Sequence, residues 1–180
     1  MAYLRSAQLI DEARTMGAYS ATDATTMLRK TAARPSYDYF LSHSVQDQRL
    51  VLAIRGRLIR MGKSVYVDWI DDQLLDRTHV TPATARVLRS RMNVSSSLLY
   101  VTTRAASNSK WMPWELGYFD GHKGEQRVGI IPVEDSAGGT FAGQEYLGLY
   151  PVFEESYLQS EYLAATYNDR RIAVASLPTR

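Results

Sequence analysis

The stretch YDYFLSHSVQDQRLVLAIRGRLIRMG, residues 37–62, decides the fold because its hydrophobic pattern changes partway along. Residues 37–42 form a short apolar and aromatic run, which is typical of a buried strand. Over residues 46–61 the apolar side chains recur every three or four positions, which predicts an amphipathic helix that ends at Gly62. A strand followed directly by a helix is the repeating unit of an α/β protein.

Four further apolar runs extend this alternation along the chain. They cover residues 64–69, 97–103 and 127–133, together with residues 149–153, which we expect to form a short edge strand. Buried strands that alternate with helices form parallel sheets covered on both faces. We therefore predict a flavodoxin-like, doubly wound sheet of five parallel strands in the order 2-1-3-4-5, with helices on both faces.

Three more helices are predicted around these strands. Thr81 and Pro82 suit the N-cap and first position of a helix that runs to about Met92. Another helix covers SKWMPWELGYFDG, residues 109–121, and a last one is expected near residues 154–166. Each helix follows a strand, as the doubly wound arrangement requires.

Residues 1–34 precede the alternating region and form a predicted N-terminal helical extension, with helical spacing in the first half and a capping-type start in the second. This extension either packs on the main domain or serves oligomerisation or partner docking. The main domain is predicted over residues 35–166, and a C-terminal tail over residues 167–180.

Composition excludes several classes of function. The chain has 180 residues, a net charge of +2 and no cysteine, so a disulfide scaffold, a cysteine-based metal site and a thiol nucleophile are excluded. The small charge gives no indication of nucleic-acid binding. No apolar run approaches the ~20 residues of a membrane span, and the start does not resemble a signal peptide. We expect a cytoplasmic protein with no metal and no membrane partner.

The helix over residues 109–121 contains the most unusual cluster of side chains. Proline is tolerated only in the first turn, so Pro113 places the helix start near residues 109–112, with Ser109 as candidate N-cap. Glu115 then lies in the first or second turn, where the helix dipole favours its ionised form. Helical spacing predicts an apolar core stripe and a second face around this glutamate: Met112, Leu116 and Phe119 form the stripe, and Trp111, Trp114 and Tyr118 join Glu115.

The face that contains Glu115 has two interpretations. A carboxylate among aromatic rings suits a flat ring or a sugar beside a developing positive charge. Alternatively, the rings pack beneath a neighbouring loop and Glu115 is a surface acid. Doubly wound sheets bind ligands beyond the carboxyl ends of the strands, where residues 42–47 and residues 102–115 are expected to meet.

Three segments in this order resemble the TIR (Toll/interleukin-1 receptor) domain of bacterial stand-alone proteins. They are YDYFLSHSVQD at residues 37–47, GKSVYVDW at residues 62–69 and SKWMPWELGYF at residues 109–119, the last with a tryptophan four residues before a glutamate. The resemblance implies an NAD-cleaving enzyme, of the NAD nucleosidase or ADP-ribosyl cyclase type, in which Glu115 is catalytic. NAD is then the substrate, and no other cofactor is expected.

The remaining candidate NAD-binding residues lie where the predicted topology places the mouth of the site. They are Ser42, His43, Ser44, Asp68, Trp69, Trp111 and Trp114. His43 also suits a purely structural role in its turn. Asp47 and Asp68 are candidates for supporting Glu115.

Two charged segments suggest self-association through TIR–TIR contacts. Residues 68–80, in the position of the family's BB loop, are acidic, and the helix at residues 46–63 is basic. These segments either dock head to tail between copies or are two solvated faces. The side chains concerned are Asp68, Asp71, Asp72 and Asp76 in the first segment and Arg49, Arg55, Arg57, Arg60 and Lys63 in the second.

Three functions follow from this combination of features. The first is an enzyme that converts NAD into a nucleotide signal for a separate effector protein in antiphage immunity, as in Thoeris-like systems. The second is a non-enzymatic TIR adaptor that acts by homotypic assembly. The third is a nucleotide-binding or flavodoxin-like regulator, which the sequence disfavours because it has neither a glycine-rich phosphate loop nor an aspartate at the end of the third strand.

Overall fold

A largely parallel β-sheet forms the centre of the computed structural model, which describes residues 3–18, 35–72, 75, 79, 81–134, 144–153, 164–167 and 170–173. The strands are β1 (Leu4–Arg5), β2 (Tyr37–Ser42), β3 (Val65–Tyr66), β4 (Ser95–Thr102), β5 (Val128–Glu134), β6 (Val152–Phe153), β7 (Ala164–Tyr167) and β8 (Arg170–Ala173). Their order is β3-β2-β4-β5-β6-β7-β8, with β1 paired to β5. Strands β2 to β6 are parallel and confirm the predicted 2-1-3-4-5 order of a flavodoxin-like, doubly wound fold.

Four of the five described helices were predicted, and the short one at Asp68–Asp71 was not. The helices are α1 (Ser6–Ala18), α2 (Gln48–Arg60), α3 (Asp68–Asp71), α4 (Pro82–Asn93) and α5 (Trp111–Lys123), with short 3-10 turns at Val45–Asp47, Ala106–Asn108, Glu125–Arg127 and Glu145–Leu149. Thr81 caps α4, its hydroxyl accepting a hydrogen bond from the Thr84 amide over 3.1 Å. Gly62 follows α2 with a φ of 77°, a left-handed conformation that favours glycine. Within the described residues, no helix is long and apolar enough to cross a membrane.

The two faces of the sheet have different cores, because successive strand residues point to opposite sides. On the aliphatic face, α1 and α2 pack over residues such as Leu41, Leu99 and Ile131. On the aromatic face, α4 and α5 pack over residues that alternate with these. The aromatic side chains buried there are Tyr37, Phe40, Tyr66, Tyr100, Trp111, Phe119 and Tyr150.

The N-terminal residues are part of the aliphatic core. Helix α1 was predicted, but the strand before it was not: Leu4 is the register partner of Val133 on β5. Leu4 and Leu9 are fully buried in the aliphatic face, and α1 contacts α2. The second predicted helix of the extension lies outside the described residues.

Three predictions about element boundaries are wrong. Regular pairing in the second strand covers only Val65–Tyr66, because the Asp71 carboxylate accepts a hydrogen bond from the Val67 amide over 2.7 Å and the chain turns into α3. Strand β6 is not an edge, since β7 pairs with its other side. The expected last helix is a strand over residues 164–166, where backbone bonds to β6 replace helical ones, and residues 154–163 lie outside the described part.

Candidate active site

Glu115 lies in the second turn of α5 with its side chain completely buried, at 0% exposure. The hydroxyl of Ser42, also 0% exposed, donates a hydrogen bond to Glu115 Oε2 over 2.6 Å. Ser42 is the last residue of β2 and the register partner of Tyr100 on β4, so both strand residues face α5. Glu115 is therefore not a surface acid, and that interpretation of its face is wrong.

The start of α5 follows from local backbone chemistry. A 3-10 turn at Ala106–Asn108 precedes the helix, and the Ser109 hydroxyl accepts a hydrogen bond from the Met112 amide over 3.3 Å. Lys110 occupies the N-cap position itself, and Pro113 is the third helical residue, where no N–H is needed. This start places Glu115 one turn further along, on the side of the helix that meets Ser42.

The predicted aromatic face of α5 divides into two parts. Trp111 is 6% exposed and packs into the aromatic core, with its ring edge-on to Trp114 at 5.4 Å. Trp114 is half-buried and stacks on Tyr118 at 5.9 Å, and the Arg89 guanidinium from α4 lies over both of these rings. Trp111 is thus buried on the helix turn before Glu115, whereas Trp114 is directed towards α4.

His43, Asp68 and Trp69 form one group at the ends of β2 and β3. His43 is 1% exposed, and its Nδ1 lies 2.8 Å from the Leu41 carbonyl oxygen, so Nδ1 carries a proton. Trp69 Nε1 donates a hydrogen bond to His43 Nε2 over 3.1 Å, and Asp68 Oδ1 lies 3.3 Å from the same nitrogen. His43 therefore links the loop after β2 to the turn after β3 from a buried position.

The loop after β2 also contacts the loop after β4. The Thr103 hydroxyl donates a hydrogen bond to Asp47 Oδ2 over 2.6 Å and accepts one from the Ala106 amide over 3.0 Å. Ser44 is buried, and its hydroxyl accepts a hydrogen bond from the Gln46 amide over 3.3 Å. Thr103 was not among the predicted site residues, although its place directly after β4, beside β2, was a usable signal.

Two carboxylates of the acidic turn, which we define as Asp68, Asp71 and Asp72, are paired with arginines. Arg55 Nη2 lies 3.4 Å from Asp71 Oδ1, and both side chains are 1% exposed. Burial raises the pKa of Asp71 to about 6. Burial also opposes ionisation of Asp72, but hydrogen bonds from Arg91 and Tyr66 outweigh it and lower the pKa of Asp72.

These pairs change the basis of the self-association hypothesis. Asp71 and Asp72 were interpreted either as docking groups for a second copy or as part of a solvated face, but they contact arginines of their own chain. On the basic helix, Arg57 and Arg60 both contact Glu12 of α1. Fewer charged side chains are therefore available for contacts between copies than the sequence suggested. Asp76 lies outside the described residues. Self-association stays a prediction.

The structure brings Ser42 and Glu115 into direct contact and places the other candidates in separate groups. His43, Asp68 and Trp69 form one group, and Asp47 joins a second through Thr103. In the part of the chain that the structure describes, no cluster of three or more histidine, aspartate or glutamate side chains is placed to hold a metal ion. The chemistry available at Glu115 is that of a buried carboxylate.

Two curated proteins are similar to this chain, and no protein-family model matches it. Over 116 residues it is 51% identical to "Probable 3' cyclic ADP-D-ribose synthase ThsB'" of Bacillus cereus (strain MSX-D12), an alignment that covers 64% of this chain and 59% of that protein. Over 83 residues it is 34% identical to "Putative cyclic ADP-D-ribose synthase TIR2" of Cytobacillus dafuensis, covering 46% and 22% respectively. The chain spans less than two thirds of either relative.

Proposed function

We propose that this chain is a TIR-like domain that cleaves the bond between nicotinamide and ribose in NAD, with Glu115 as the catalytic residue. The observation that carries the proposal is the buried Glu115 carboxylate, held by Ser42 at the carboxyl end of β2. Ligands of doubly wound sheets bind at this end of the strands. The names of the two similar proteins, both cyclic ADP-D-ribose synthases, support the same chemistry.

The reaction needs one negative charge and no acid. The glycosidic bond breaks with its electron pair going to the pyridinium nitrogen, so nicotinamide leaves as a neutral ring. The ribose becomes an oxocarbenium-like cation, which a carboxylate stabilises electrostatically. An oxygen of water, or of a hydroxyl on the same ADP-ribose, then attacks the cation and loses its proton. Water yields ADP-ribose, and an internal hydroxyl yields a cyclic ADP-ribose.

Complete burial of Glu115 sets a condition on this chemistry. A ribose reaches the carboxylate only after the groups that cover it have moved, so substrate binding and rearrangement are coupled. We include self-association in the proposal as one source of such a rearrangement. We also propose that the product is a nucleotide signal, read by a separate effector protein in antiphage immunity.

A non-enzymatic adaptor that assembles through TIR–TIR contacts is the second candidate. The observation that favours it is the same burial, because an adaptor has no need to expose Glu115 to a ligand. Its activity would depend on surface contacts and be insensitive to a change in the carboxylate. The two candidates therefore differ in what a substitution at Glu115 does.

The deciding experiment follows nicotinamide release from NAD by chromatography. The proteins compared are the wild type, Glu115→Gln and, as a matched control, Glu125→Gln, which changes an exposed glutamate just beyond α5. Because Gln keeps the shape of the side chain but not its charge, Glu115→Gln is expected to lose activity by about a hundredfold or more. Glu125→Gln is expected to match the wild type.

Two outcomes would reject the enzyme. The first is a wild type that releases no nicotinamide at any protein concentration, with or without a crowding agent that promotes assembly, which would favour the adaptor. The second is release by Glu115→Gln at the wild-type rate, which would remove Glu115 from the chemistry. Mass spectrometry of the product separates hydrolysis from cyclisation.

A further inference from the structure

The position of Ser42 gives its hydroxyl a partner inside the protein. Its place in the predicted topology, together with the resemblance to TIR domains, made Ser42 a candidate for contacting the ribose or phosphate of NAD. In the structure its hydroxyl is completely buried and donates to Glu115 Oε2. A serine hydroxyl has one O–H proton, so a proton engaged with Glu115 is not available to a substrate oxygen.

We propose that Ser42 is a positioning residue, which holds the Glu115 carboxylate in one orientation and favours its ionised form. The inference rests on the proposed function, in which that carboxylate meets the ribosyl cation. The length of the hydrogen bond, 2.6 Å, is in the range of hydroxyl-to-carboxylate bonds, which are shorter and stronger than neutral ones. A carboxylate without such a donor is costly to bury.

The backbone around Ser42 suits this role. Ser42 ends β2, which lies between β3 and β4 in the sheet, and its register partner is Tyr100. A side chain at this place is fixed by a paired strand, not by a free loop. The Ser42 hydroxyl therefore has a defined position relative to α5, and its hydrogen bond fixes the orientation of the Glu115 carboxylate.

The chain offers a conservative variant and a matched control for a test. Ser42→Ala removes the donor, and Ser42→Thr keeps a hydroxyl at the same place. Ser97→Ala removes another completely buried hydroxyl, on β4, which makes no hydrogen bond in the described structure. Ser97 is the register partner of Tyr39 and so faces the aliphatic side, away from α5.

Steady-state kinetics distinguish positioning from substrate contact. Loss of a hydrogen bond to a charged group predicts that Ser42→Ala lowers kcat by about tenfold to a hundredfold, with KM within about twofold of the wild type. The acid limb of its kcat profile is expected at higher pH, because the donor favours the ionised carboxylate. Ser42→Thr is expected to regain most of the loss, and Ser97→Ala to leave kcat and KM unchanged.

A melting experiment tests the contact without using activity. Ser42→Ala is expected to lower Tm by about 3 to 10 °C in the wild-type background. In a Glu115→Leu background the same change is expected to have little effect, since the acceptor is gone. If Glu115→Leu does not fold, Glu115→Gln replaces it, and the effect of Ser42→Ala is then expected to fall to about half.

The outcomes separate this inference from the proposed function. A higher KM with unchanged kcat in Ser42→Ala would make Ser42 a substrate contact and overturn the inference. Equal Tm losses in both backgrounds would overturn it as well, even if the wild type cleaves NAD. If the Tm loss from Ser42→Ala depends on Glu115 but the wild type releases no nicotinamide, the contact is supported and the proposed function is rejected.

Discussion

The two faces of the sheet are built from different residues and have different roles. The aliphatic face buries Leu, Ile and Val side chains beneath α1 and α2, and the charged groups on those helices pair at its border. The aromatic face buries rings beneath α4 and α5 and also encloses the Ser42–Glu115 contact. A buried polar pair lies beside each face, Arg55 with Asp71 next to α2 and Ser42 with Glu115 beneath α5. Only the pair on the aromatic face includes the proposed catalytic carboxylate.

The side chains that fill the two faces differ: mainly aliphatic on one face and mainly large rings on the other. Both faces are expected to be close-packed, as protein interiors are, so it is the position of Glu115 that separates them in function. We therefore expect changes on the aliphatic face to affect the free energy of unfolding more than the chemistry at Glu115. The following predictions test that division.

The largest effect on stability is expected from Ile54→Ala on α2. Ile54 is completely buried in the aliphatic face, so truncation leaves a cavity and lowers the free energy of unfolding by about 2 to 5 kcal/mol. Ile59→Ala is the control on the same helix, because Ile59 is 39% exposed. Denaturant titration measures both losses. Similar losses for the two variants, or a lower kcat per folded molecule in Ile54→Ala, would contradict the division.

A smaller, pH-dependent effect is expected at Asp71. Its folded-state pKa of about 6 lies above its ordinary 3.8 because of burial, so its favourable contribution is present at low pH and lost as the pH rises through 6. The wild-type free energy of unfolding, relative to that of Asp71→Asn, should fall by about 2 to 3 kcal/mol between about pH 4 and pH 7. Urea titrations across this range measure the difference.

Asp72→Asn is the matched control for this prediction, with the opposite sign. Arg91 and Tyr66 lower the pKa of Asp72, so its contribution is present above its ordinary pKa and lost as the pH falls through the folded value. The wild-type free energy of unfolding, relative to that of Asp72→Asn, should therefore increase with rising pH in the acid range. If the stability of the wild type relative to Asp71→Asn and relative to Asp72→Asn changed in the same direction with pH, the opposite pKa shifts of the two aspartates would be refuted.

The smallest effect is expected from Glu12→Gln, which weakens the contact between α1 and Arg57. A hydrogen bond from Arg57 lowers the pKa of Glu12, so its contribution is present above its ordinary pKa of 4.5 and lost as the pH falls through the lower folded value. Because Glu12 is 35% exposed, solvent screening limits the loss at pH 7 to about 1 kcal/mol. Asp11→Asn, at a 74% exposed position on the same helix, should change little. A Glu12→Gln loss that stays constant as the pH falls through the acid range would show packing, not charge, as its source.

The sequence predicted the central architecture because its signals are periodic and local. The spacing of Val51, Ile54 and Leu58 predicts a helix wherever it occurs, and Thr81 with Pro82 caps α4 through bonds to its own next turn. The position of Pro113 likewise placed Glu115 in the second turn of α5. Each of these inferences depends on residues within a few positions of one another.

The features that the sequence did not predict depend on distant partners. Ser42 and Glu115 are 73 residues apart, and Arg55 and Asp71 are separated along the chain by β3. A charge on a predicted helix has the same local pattern whether it faces water or a buried acid, which is why Arg55 was interpreted as part of a docking or solvated face. β1 and β7 are strands mainly because β5 and β6 offer them unpaired backbone groups.

The acidic turn has a consequence for how this protein tolerates change. Two of its carboxylates pair with arginines on two different helices, Asp71 with Arg55 on α2 and Asp72 with Arg91 on α4. Removing either carboxylate leaves its arginine without the opposite charge, so each single substitution is expected to destabilise the protein, most of all at the buried Arg55. Because both contacts hold the same turn, the effects of the two substitutions are expected to be non-additive.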